Sequence, residues 1–148
     1  MSEAGEAVAF VRDKEHWLRK FSPDEWIRAA MGEMKRAEVA YARKSVRAGL
    51  AGARRAAGMA LNGVLLVEPN DAWGRTYIDH LLALQKDASA PEPVRKAASL
   101  LMEAAPLANQ LIVLRSKDQD TRVVEAAKDV MAHAYAVVAR HEGDAHAG

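Results

Sequence analysis

Apolar residues in this chain recur at intervals of three and four, the spacing of one helical face, and almost nowhere alternate as a half-buried strand requires. The clearest start is Ser22-Pro23-Asp24-Glu25. It reads as a capping box, with Ser22 at the N-cap, Pro23 at the first helical position and Glu25 reaching back. Beyond it Ile27, Ala30, Met31, Met34, Ala37 and Tyr41 form one stripe, which predicts a helix to about Arg43. A break is expected around residues 44–49, followed by a second helix that ends before Pro69. In that helix Leu50, Ala57, Leu61, Val64 and Leu65 make a core stripe. Gly52, Ala56, Ala60 and Gly63 make a second, small-residue stripe that another backbone could approach closely. Asn62-Gly63 is a turn signal in isolation, but here it sits inside the apolar pattern and reads as helix.

Residues 68–71 form a loop, and Asn70 or Asp71 is the expected cap of a helix over about 72–86, burying Tyr77, Leu81 and Leu84 with Ile78 and Leu82. Residues 87–93 loop again. The next helix opens near Ser89 to Glu92 and carries Val94, Ala97, Ala98, Leu101 and Met102. Pro106 kinks or restarts it, with a further helical piece over 107–114. The last helix starts near 118–121 and carries Val123, Ala127, Val130, Met131, Ala134, Val137, Val138 and His141. The pattern divides the chain into a weakly helical extension over 1–21, a bundle over 22–142 and a disordered tail over 143–148. Short polar loops between such helices predict an all-α, up-and-down bundle of about five helices.

Composition supports this picture and narrows it. Alanine, the best helix former, makes up roughly a fifth of the chain. There are no cysteines, which excludes disulfide scaffolds, cysteine–zinc sites and thiol nucleophiles, and points to a reducing compartment. No segment approaches the roughly 18 apolar residues of a membrane span, and Glu3 and Glu6 interrupt any leader-like stretch, so a cytoplasmic location without membrane contact is expected. With 21 basic and 20 acidic residues the net charge is +1, which gives no global pull toward nucleic acid.

Any charge chemistry must therefore be local. Arg36, Arg43, Arg47 and Arg54 are spaced by seven, four and seven. On one continuous helix they would lie within about 40 degrees of each other and could hold phosphates, with Lys35, Lys44 and Arg55 flanking them. A break in the helix dissolves that alignment and leaves a solvated face. A second candidate is Arg75-Thr76-Tyr77-Ile78-Asp79-His80, where a histidine to move protons and an arginine to stabilise developing charge would suit phosphodiester cleavage. The alternative for His80 is a half-buried helix residue. Asp129 and His133 share a helix face but fall short of a metal-ligand set, and no cofactor motif is present. Trp17, Trp26 and Trp73 read as packing residues.

The order of these blocks resembles the HEPN family of bacterial helical bundles. The resemblance runs from about Asp24 to Arg140, through Trp26-Ile27-Arg28-Ala29-Ala30, a short turn, the run from Ala53 to Leu65, Tyr77-Ile78-Asp79-His80-Leu81-Leu82, and Val124-Glu125-Ala126-Ala127-Lys128-Asp129-Val130-Met131. The family's second helix is usually glutamine-rich with a Glu-Lys stretch, whereas this chain has Ala53-Arg54-Arg55 and Gly58-Met59. The resemblance implies a four- or five-helix bundle, often homodimeric, in toxin–antitoxin or defence systems. Such a domain works with a nucleotidyltransferase-like partner or cleaves RNA itself. Catalytic members carry Arg-x4–6-His, and Arg75 and His80 match its spacing, but Thr76 stands where a polar Asn, Asp or His usually follows the arginine. The expectation is a binding or dimerisation module, nucleotide- or RNA-associated. The alternatives are a metal-independent ribonuclease or a structural domain without a ligand.

Overall fold

The computed structural model describes residues 17–104 and 117–147, the side chains of 117, 118 and 144–147 excepted. Among these residues there are five α-helices and two short 3-10 turns, and no strand. The first helix, α1 (Pro23–Ala42), begins as its sequence predicts. Ser22 Oγ accepts from Glu25 N–H at 3.1 Å, and Ser22 N–H donates to Glu25 Oε1 at 3.0 Å. Those bonds from Ser22 hold the Glu25 carboxyl below its usual pKa. The described end of the N-terminal extension is a 3-10 turn, Trp17–Lys20, that docks on the bundle. Leu18 is buried, and the Trp26 indole N–H donates to its carbonyl at 2.8 Å.

α1 ends in a Schellman motif. Ser45 N–H bonds back to Ala40 O at 2.8 Å and Lys44 N–H to Tyr41 O at 2.9 Å. Lys44 takes the left-handed conformation (φ 64°) that glycine usually supplies. The next helix, α2 (Val46–Val67), starts at once, so the break is shorter than the sequence predicts. The helix runs unbroken through Gly49, Gly52, Gly58 and Gly63, because the missing side chains serve packing. A Cβ at Gly52 would lie 3.0 Å from Ala37 Cβ, and one at Gly63 would lie 3.0 Å from Pro23 O. The small-residue stripe therefore packs on α1, and the backbone that approaches it comes from the same chain.

The helix expected over 72–86 is divided. Asn70 Oδ1 accepts from Ala72 N–H at 3.0 Å and caps only a 3-10 turn, Asp71–Trp73. Gly74 then turns at φ 73°, where a Cβ would also meet the Asp79 carboxylate at 2.7 Å. A second capping box starts α3 (Tyr77–Lys86): Thr76 Oγ1 accepts from Asp79 N–H at 3.0 Å, and Asp79 Oδ2 accepts from Thr76 N–H at 3.3 Å. α4 (Glu92–Glu103) and α5 (Lys117–Ala147) complete the bundle. α5 continues through the tail that sequence left disordered. Helix propagation adds a bond per residue, and one glycine, Gly143, costs too little to stop it. The extension before residue 17, Pro106 and the piece expected over 107–114 lie outside the described residues.

α2 is the centre of the bundle and bears on α1, α3 and α5, while α4 closes against α3 and α5. Leu61, Leu81, Leu84, Leu101, Val123 and Val130 are fully enclosed. Met31, Ile78 and Leu82, placed on core stripes by periodicity, are exposed at the edges of those stripes. No helix among the described residues is long and apolar enough to cross a membrane.

Candidate functional site

The Arg75–His80 pair does not converge. Arg75 lies exposed in the loop before α3, where its N–H donates to Asp79 Oδ2 at 3.4 Å. It lines a small crevice with Trp17, Leu18, Leu65, Asn70, Asp71 and Gly74, and His80 has no part in that crevice. His80 is 0 % exposed, one turn into α3. Its Nδ1 lies 2.9 Å from the Trp73 carbonyl and its Nε2 lies 2.8 Å from the Asn62 side-chain amide. With Asn62 Oδ1 toward the ring, Asn62 Nδ2 is buried without a partner. Turning the amide over lets Nδ2 donate to Nε2, which fits a neutral imidazole carrying its proton on Nδ1. Burial pushes the His80 pKa below the ordinary histidine value, against the opposing pulls of the Trp73 bond and Asp79. The ring therefore ties the 3-10 turn to α2. Asp79, beside it, is a capping residue whose carboxyl the Thr76 hydroxyl and N–H hold low.

The four arginines of the proposed stripe are split by the turn at Lys44. Arg36 and Arg43 stand on the α1 side and Arg47 on the first turn of α2. Arg54, also on α2, turns away to α4. Its Nε donates to Leu101 O at 2.7 Å and its NH2 group to Ala104 O at 2.7 Å and Met102 O at 3.3 Å. Arg54 thus caps the C-terminus of α4, as cations at that end do. It is removed from the phosphate-binding set.

The other cations gather at the α1–α2 hairpin. Lys35, Arg36, Val39, Ala40, Arg43, Ser45 and Ala48 line an open groove of about 430 Å3. Lys44 forms the turn at its end, and exposed Arg47 follows on α2. Among the described residues Lys35, Arg43, Lys44 and Arg47 have no carboxylate within ion-pair distance; Arg36 pairs with Glu33 at 2.8 Å. The groove also meets the start of a long helix that lacks its own anion. Ser45 makes no side-chain cap bond there, and the first turn of α2 carries no acidic residue. Such a helix start favours negative charge. Sequence spacing had pointed to Arg36, Arg43 and Arg47, while Ser45 and the strain at Lys44 become visible only with the turn geometry.

No three of the described His, Asp and Glu side chains come together as a metal site. His133 is half-buried on α5, and burial pushes its pKa down. No family model, no curated protein and no solved structure matches the chain.

Proposed function

We propose that the chain is a non-catalytic, HEPN-like binding module that takes a phosphate-bearing ligand, a nucleotide or an RNA strand, at the tip of the α1–α2 hairpin. The observation that carries this reading is the groove lined by Lys35 and Arg43, which have no carboxylate partner among the described residues, with Arg36 beside them. Two further features support it. The uncapped start of α2 adds its N–H groups to the same place. Lys44 occupies a left-handed position that costs a side-chain-bearing residue about 1–2 kcal/mol, and strain of this kind is kept where a side chain is used. From the family resemblance come the homodimer, the nucleotidyltransferase-like partner and the toxin–antitoxin setting. The ribonuclease alternative has no support in the geometry, since His80 offers neither ring nitrogen to solvent.

Fluorescence anisotropy with labelled ATP and a short labelled single-stranded RNA tests the reading. The wild-type protein should bind one of them, more weakly as salt rises. Arg43→Glu with Lys44→Glu should weaken that binding about tenfold or more at low salt. Absence of binding to both probes would sink the reading. A second expectation separates function from stability. Lys44→Gly should raise the unfolding free energy by about 1 kcal/mol in urea titrations, because glycine carries no Cβ penalty there, while it weakens ligand binding.

A further inference from the structure

Glu33 lies three residues before Arg36 on α1 and outside the groove's lining, joined to it through Arg36. It projects from α1, and its side chain is only 18 % exposed. Each carboxylate oxygen holds a different arginine from a different helix. Oε1 accepts from Arg36 of α1 at 2.8 Å, and Oε2 accepts from Arg55 of α2 at 3.0 Å. Behind it the Tyr77 ring of α3 closes over Gly58, and the Tyr77 hydroxyl feels the charges of both Arg55 and Glu33. Glu33 is thus a fixed anion shared by two guanidiniums. One of them, Arg36, also lines the groove and is 74 % exposed.

A guanidinium has five donors in a planar fork and binds carboxylate and phosphate with the same geometry. Arg36 therefore has two alternative acceptors, Glu33 and any phosphate in the groove. The second arginine, Arg55, is held on the far side of the same carboxylate. We infer that Glu33 is a built-in competitor for the groove's anionic ligand, holding Arg36 and Arg55 away from phosphate and setting where the binding strip ends. This inference rests on the phosphate-binding reading above.

The test is Glu33→Gln, assayed with the same labelled ATP and labelled RNA. Glutamine keeps the length of the side chain and removes the charge. Binding should tighten about tenfold at low salt, as two ion pairs cease to compete. For RNA the salt dependence should steepen by roughly 0.7 for each arginine released onto the strand. Glu125→Gln, on the exposed face of α5, makes the same change in net charge and should leave binding unaltered. Arg55→Gln leaves Glu33 more firmly on Arg36 and should weaken binding about threefold. Its opposite sign keeps the inference open to refutation even if Glu33→Gln folds poorly. If the wild type binds and Glu33→Gln binds no more tightly, or Glu125→Gln tightens equally, the competitor role is wrong and the groove stands. If neither wild type nor Glu33→Gln binds either probe, the groove reading and the inference fall together.

Discussion

Gly58→Val is expected to destabilise the fold by about 3 kcal/mol, read as a lower urea midpoint at unchanged slope. Helix propensity alone points the other way, since glycine inside a helix costs about 1 kcal/mol relative to alanine. Sterics decide the sign. A Cβ at Gly58 would stand 2.3 Å from Tyr77 Cβ and 2.5 Å from two ring atoms, far inside contact distance. The ring could rotate aside, but Tyr77 Cβ is fixed to the first residue of α3. That start is held by the Thr76–Asp79 box and by the His80 bond to Trp73. Relief therefore requires α3 to move off α2. The origin of the effect can be checked by a double-mutant cycle. Tyr77→Gly should recover most of the cost of Gly58→Val, while Tyr77→Ala, which keeps the offending Cβ, should recover less.

The same contact shows what the sequence could and could not reveal. Ser22-Pro23-Asp24-Glu25 was readable because a capping box is local, with all its partners within four residues. The apolar stripes of α1, α2 and α5 were readable because periodicity reports burial directly. Gly52 and Gly63 were legible as positions of close backbone approach, but which backbone approaches was not, and nothing local marked Gly58; the partners of Gly49, Gly52, Gly58 and Gly63 are Tyr41, Ala37, Tyr77 and Pro23. The start of α3 was misplaced for a related reason. Asn70 is a sound cap, but it caps a 3-10 turn, and the stronger Thr76–Asp79 box overrides the continuation. In the candidate site, Arg36, Arg43 and Arg47 were recognisable by residue type, but the spacing that aligned them assumed one continuous helix, which the turn at Lys44 interrupts. Arg54 was not separable from them, since its partners are carbonyls 47 to 50 residues away. His80 suggested chemistry because sequence shows the imidazole but not Asn62 and Trp73 on either side of it.

That buried ring leads to the second large effect. His80→Ala is expected to cost about 3–4 kcal/mol near neutral pH, by removing an enclosed side chain and stranding Asn62 and the Trp73 carbonyl. Asn62→Leu alone should cost about 1–3 kcal/mol, because it leaves His80 Nε2 buried without a partner. His80→Leu together with Asn62→Leu should cost less than the sum, since both ends of the bond are removed at once. The wild type should also show a pH signature. The folded-state pKa of His80 lies below the ordinary value of 6.5, through burial, so the unfolded chain binds the proton more readily. The stabilising contribution is complete above pH 6.5 and is lost as pH falls below that value through the folded pKa. His133 is lowered by the same cause and tilts the curve the same way, so the wild-type slope alone does not isolate His80. The comparison that does is the urea stability of wild type against the double-leucine variant as pH is lowered from 7. Wild type should lose stability faster. Parallel curves would mean that His80 takes up its proton in the folded bundle as easily as in the unfolded chain, and that the Asn62–His80–Trp73 link tolerates charge.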